Sequence, residues 1–80
     1  MADPGSLEHY LENRDKYLTR AQAAERIGKS RRTIENYLAG GLKVHEPLPG
    51  VQRIYLDELL ATWRQKMIRQ RAARFRERAP

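Results

Sequence analysis

The run YLTRAQAAERIGKSRRTIENYLAGGL, residues 17–42, holds two short helices and the turn between them. Thr19 and Gln22 stand at capping-box spacing with Leu18 at the staple position, so a helix is expected to start at Thr19. Ala21, Ala24 and Ile27 give that helix a narrow face of small residues that permits close packing, and Gly28 suits a left-handed stop. Ser30 then caps a further helix in which Ile34 and Leu38, four apart, face inward with Tyr37 beside them. Gly40-Gly41 ends it. Two short helices separated by Gly28-Lys29-Ser30 read as a helix-turn-helix.

C-terminal to this unit, His45-Glu46-Pro47-Leu48-Pro49-Gly50 is turn material, and Val44 and Gln52 to Leu56 are expected to pair on either side of it as a wing-like hairpin. In the second strand Ile54 and Leu56 fall on one face and Arg53 and Tyr55 on the other, since strand side chains alternate. One face is expected in the core and the other toward solvent or a partner. Asp57 is a good N-cap for a last helix, where Leu59, Leu60, Trp63 and Met67 form an apolar stripe. Beyond Ile68 the stripe dissolves into an Arg-, Ala- and Gln-rich run whose helix propensity outlasts its packing. N-terminal to the central unit, Pro4-Gly5 breaks the chain and Ser6 caps a short helix over about residues 6–14, with Leu7, Tyr10 and Leu11 on one face. The expected organisation is an N-terminal segment (1–16), a central domain (17–68) and a basic tail (69–80).

Eighty residues make one small domain, with no room for a buried catalytic cleft. The chain has no cysteine, which removes disulfides, thiolate zinc sites and cysteine nucleophiles and makes a cytoplasmic location the default expectation. No apolar run reaches the roughly 20 residues that span a bilayer, and Met1 to Gly5 lack a signal-peptide pattern. His9 and His45 lie on different elements without metal-ligand spacing and read as surface histidines. No set of residues offers a nucleophile, a base and an orienting group together. Neither an enzyme, a cofactor, a metal nor a small-molecule substrate is therefore expected.

The net charge is +6, which favours a polyanionic partner, and its distribution is uneven. Residues 1–16 sum to −2, residues 17–63 to +2 and residues 64–80 to +6. The helix after Ser30 leaves Arg31, Arg32, Glu35, Asn36 and Ala39 off its core face. A helix fits the major groove of duplex DNA, where Arg pairs with guanine and Asn with adenine through two hydrogen bonds each, worth roughly 1–3 kcal/mol of discrimination per pair. Arg32 and Asn36, four apart, point the same way. The plainer reading of this face is a solvated one with an Arg31–Glu35 ion pair. Ser30 and Thr33 serve as caps or as phosphate ligands, with capping the firmer role for Ser30.

The residues Tyr17-Leu18-Thr19, Ala21, Ala24, Ile27 to Ile34, Tyr37 and Gly41-Leu42, continuing to Asp57-Glu58-Leu59-Leu60-Ala61-Thr62-Trp63, resemble the DNA-binding domain of the MerR superfamily and its smaller relatives, the phage excisionases. The resemblance covers about residues 17–63. It implies a mainly α fold with a small β-hairpin, a winged helix-turn-helix, here with an extra N-terminal helix and a basic C-terminal helical extension. MerR-type regulators continue into a coiled coil and an effector domain, and the length of this chain favours the excisionase branch, the recombination directionality factors. Such proteins bind and bend double-stranded DNA, assemble head to tail on adjacent sites and direct a phage integrase toward excision. By position, the family's base-contacting residues fall on Arg32 and Asn36, and its minor-groove wing arginine falls on Arg53 or, one residue away in register, Gln52. Arg69, Arg71, Arg74, Arg76 and Arg78 are expected to contact DNA or a protein partner. A small transcriptional repressor using the same surface and, in another class, a protein adaptor with a basic surface are the alternatives.

Overall fold

The computed structural model describes residues 3–78, and side chains as far as Arg69. The chain runs α1 (Leu7–Glu12), a 3-10 turn (Arg14–Lys16), β1 (Tyr17–Leu18), α2 (Arg20–Ile27), α3 (Arg31–Ala39), β2 (His45–Leu48), β3 (Val51–Tyr55) and α4 (Leu56–Arg78). It is mainly helical, with a small three-stranded antiparallel sheet in the order β1-β3-β2.

The helix boundaries follow from local chemistry. Thr19 Oγ1 accepts the Gln22 N–H at 3.2 Å while Gln22 Oε1 accepts the Thr19 N–H at 2.9 Å, a complete capping box. Gly28 closes α2 at φ 66°, in the left-handed region where a Cβ is disfavoured. Ser30 Oγ caps α3 by accepting the Thr33 N–H at 3.3 Å.

Ala23, Ala24, Ile34, Tyr37, Leu42, Ile54 and Leu59 form the buried core, with Leu18, Ile27, Leu38, Val44, Leu56 and Trp63 packed around it. The buried face of α2 thus runs through Ala23 and Ala24, and Ala21, expected inside, is exposed. The N-terminal turn of α2 carries Ala21 toward the hairpin side instead, where it lines a surface cleft.

The hairpin differs from expectation in three ways. Residues His45–Leu48, read as turn material, form β2, and the turn shrinks to Pro49-Gly50. Pro47 is tolerated because β2 is an edge strand, and the pairs His45↔Arg53 and Leu48↔Val51 leave one extra residue on β2. Leu56 belongs to α4 rather than to the strand, so the helix starts before Asp57, which lies in its first turn and is not its cap. Tyr55 is buried, because the face of the sheet opposite Leu18 and Ile54 is covered by α1.

That covering is polar and aromatic. Tyr17 Oη accepts the Gly5 N–H at 3.0 Å and is hydrogen-bonded to His9 Nδ1 at 2.7 Å. His9 stands edge-on to Tyr55 at 4.9 Å, and Tyr10 edge-on to Tyr17 at 5.2 Å. Gly5 sits at φ 95°, and a Cβ there would meet His45 Nδ1 at 2.6 Å, so any other residue would be strained and would displace His45. His45 Nε2 donates to the Glu58 carboxylate at the start of α4. The two histidines are half-buried structural groups rather than surface residues. Leu7 and Leu11, 45% and 52% exposed, leave the apolar face of α1 in solvent.

α4 is an unbroken helix across the expected boundary at residue 69. Leu59 is fully buried and Trp63 packs on the core, but Met67 is at the surface and Ile68 is 65% exposed, so the stripe leaves the core after Trp63. No helix of the described residues is long and apolar enough to cross a membrane.

Leu59→Ala is expected to cost about 2–5 kcal/mol, comparable to the whole stability of a domain this small, whereas Met67→Ala should stay within about 0.5 kcal/mol. Urea unfolding of both variants checks where the core ends. Tyr55 supplies a pH signature: burial first, then its hydrogen bond to Asp57 and the charges of Asp57, Tyr17 and Glu58, raise its hydroxyl above the ordinary value of 10.0. Above that value the unfolded chain loses the proton first, so this contribution to stability is complete below it and is lost as pH rises through the folded value. Thermal midpoints measured across alkaline pH should fall more steeply for the natural protein than for Tyr55→Phe.

Candidate nucleic-acid interface

The core face of α3 is set by Ile34, Tyr37 and Leu38, and at 100° per residue the opposite crest belongs to Arg32. Arg31 and Glu35 lean from that crest toward the hairpin, and Thr33 and Asn36 lean toward α4. Arg31, Arg32, Glu35 and Asn36 are exposed, and Thr33 is half-buried. Arg32 and Asn36 share the exposed face, as the spacing predicts, though Asn36 sits nearer α4.

On the hairpin side, a cleft of about 270 Å³ is lined by Thr19, Arg20, Ala21, Arg31, Gly50, Gln52 and Arg53. The fold therefore brings three of the residues singled out in the sequence, Arg31, Gln52 and Arg53, to one place. Gln52 is exposed, and Arg53 is half-buried with its Nη1 donating to the Gln52 carbonyl at 2.7 Å. On the other side of α3, a cleft of about 330 Å³ holds Thr33 and Asn36 together with Lys29, Tyr37, Lys66 and Met67. Ser30 stays at the cap, its hydroxyl 3.3 Å from that of Thr33. Arg32 lines neither cleft. Of the C-terminal arginines, Arg69 lies exposed on α4; the side chains of Arg71, Arg74, Arg76 and Arg78 fall outside those described.

Arg20 was not legible as a site residue. Its Nη1 donates to Gln52 Oε1 at 3.4 Å, and its Nε pairs with Glu35 Oε1 at 3.3 Å. Glu35 thus pairs across to α2 rather than with Arg31, its partner in the plainer reading of this face, because α2 brings its first residue across to α3. The available signal was position: Arg20 follows the Thr19 cap, at the end of α2 that must lie against the hairpin.

Charge at the start of α3 runs against the helix dipole. Lys29, Arg31 and Arg32 cluster there and the first turn has no acid, although a helix N-terminus stabilises anions. Among the described residues, no group of three His, Cys, Asp or Glu side chains is placed to hold a metal ion. The chain matches no protein-family model, no curated protein and no solved structure.

A double-mutant cycle with Arg20→Ala and Glu35→Ala should give a coupling of about 0.2–1 kcal/mol, the range for an exposed ion pair. Repeating the cycle with Arg31→Ala in place of Arg20→Ala should give a coupling near zero if Glu35 has changed partners as described.

Proposed function

We propose that this protein is a sequence-specific, double-stranded DNA-binding protein of winged helix-turn-helix type, and not an enzyme. α2 and α3 are its helix-turn-helix and β2–β3 its wing. The observation that carries this reading is the exposed face of α3, crested by Arg32 and bordered by a cleft where Arg20, Arg31, Gln52 and Arg53 converge. α3 has nine residues, about 14 Å of helix, a length suited to the major groove.

In this reading Arg32 and Asn36 contact base edges. Arg53 or Gln52 reaches the adjacent minor groove from the wing, where a narrow groove attracts a guanidinium through its negative potential. Arg20 and Arg31 hold the backbone between them. Glu35 keeps Arg20 in place and repels phosphate from the crest, so the pair positions rather than reads. The resemblance to excisionases gives the biological role: bending DNA, head-to-tail assembly on adjacent sites, and direction of a phage integrase toward excision, in the bacterial cytoplasm. A small repressor uses the same surface, and an integrase-dependent excision assay against a promoter assay separates the two. The exposed apolar residues Leu7, Leu11 and Ile68 favour the protein-adaptor reading as the rival from another class.

Binding selection from random duplexes, followed by fluorescence anisotropy, tests the reading. Arg32→Ala and Asn36→Ala should each lose about 1–3 kcal/mol on the selected site and relax one base position, with little change on random duplex. Arg53→Ala should weaken sites with A·T-rich minor grooves most. Equal losses on both kinds of DNA would reduce Arg32 and Asn36 to phosphate contacts, and no retention of any duplex would leave the adaptor.

A further inference from the structure

The cleft between α3 and α4 collects charge that the fold itself does not use. Lys29 comes from the turn before α3 and Lys66 from the third turn of α4, and the two line the same cleft with Thr33 and Asn36. Neither lysine forms an ion pair among the described residues, and no carboxylate lines the cleft. A neighbouring cleft of about 270 Å³ shares Lys66, adds Arg69, Thr62 and Gln65, and again has no carboxylate.

Lys29 and Lys66 stand toward opposite ends of α3 and line one cleft with no carboxylate between them, and Thr33 and Asn36 line it as well. Lys66 alone has an internal explanation. Its Nζ lies 3.9 Å from where a Cβ on Gly40 would stand, at the C-terminal end of α3, where a cation is favourable. Lys29 has none, for it sits at the opposite, positive end of the same helix. A run of phosphates along the cleft supplies each lysine with the counter-charge that no carboxylate provides.

The cleft also has the right place. It lies on the side of α3 away from the hairpin, and the major groove into which α3 is proposed to fit is about 12 Å wide, scarcely more than a helix with its side chains. Elements on the two flanks of α3 therefore face the two sugar-phosphate backbones that border the groove. The geometry points to a second phosphate site: Lys29 and Lys66, with Thr33 beside them, contact separate backbone phosphates of duplex DNA on the strand opposite that facing Arg20 and Arg31, and Arg69 continues the contact along α4. This inference rests on the reading of α3 as a major-groove helix and gives that helix its second backbone support.

Lys29→Met and Lys66→Met keep the aliphatic stems and remove the charges. With a mixed-sequence duplex titrated between about 50 and 200 mM salt, each variant should lower the slope of log K against log salt by about 0.9, while Lys16→Met, at a lysine paired with Asp57 away from the proposed surface, leaves it unchanged. Lysine acetylation read by mass spectrometry should show duplex protecting Lys29 and Lys66 but not Lys16, which is paired with Asp57. If the natural protein binds duplex and both Met variants keep its slope, or Lys66 acetylates equally fast with and without DNA, the site does not exist. A Lys66→Met variant that loses only thermal stability would mark that residue as a cap of α3 and nothing more. Failure of the natural protein to bind any duplex is a separate result, and it removes the DNA reading itself.

Discussion

The close approach of α2 to α3 is the constraint on which the rest depends. Ala23 is fully buried and Ala24 nearly so, and they let α2 pack against Ile34, itself fully buried, at short range. A larger side chain at either alanine would overpack this contact and force α3 away from the sheet. With α3 fixed, Tyr37 and Leu42 meet Ile54 and Leu59, and the hairpin is held beside the N-terminal ends of both helices. Arg20 can then reach Gln52 and Glu35 at once.

The charge layout follows from this frame. α1, which carries Glu8 and Glu12, covers the sheet face that looks away from α2 and α3, held there through Tyr17, His9 and the approach of Gly5 to His45. The acids of the N-terminal segment are thus kept behind the sheet. The basic residues of the α2–α3 turn, the hairpin and α4 border the exposed face of α3. A modest net charge of +6 becomes a one-sided one.

Features governed by neighbours in the chain were legible. The Thr19–Gln22 box, the Gly28 stop, the Ser30 cap and the inward face of Ile34 and Leu38 with Tyr37 beside them each rest on spacing within one or two turns, although Tyr37 is buried more deeply than Leu38. Features decided by distant partners were not. Residues His45–Leu48 read as turn material because Pro47 lies among them and Pro49-Gly50 follows, and they become a strand because β3 pairs with them. Tyr55 looked solvent-facing because nothing in β3 itself announces α1 as a cover. Glu35 has an i−4 arginine available and takes Arg20 instead, and Lys29 and Lys66 share a cleft only through tertiary packing. For the candidate interface, the residues of α3, the wing and Arg69 were named from the sequence, whereas Arg20 and the sharing of one cleft by Lys29 and Lys66 needed the fold.

Trp63 is the single tryptophan of the chain, and it stands where α4 parts from the core, its indole N–H buried without a hydrogen-bond partner among the described residues. One side of the ring meets the core, and Met67, one turn on, lines the cleft that contains Lys29 and Lys66. The protein thus carries a built-in optical probe at the junction between its scaffold and its charged flank. An indole N–H with no partner is sensitive to any polar group that reaches it, so the emission wavelength of this one residue reports separately on loss of the core and on changes along α4, without a label.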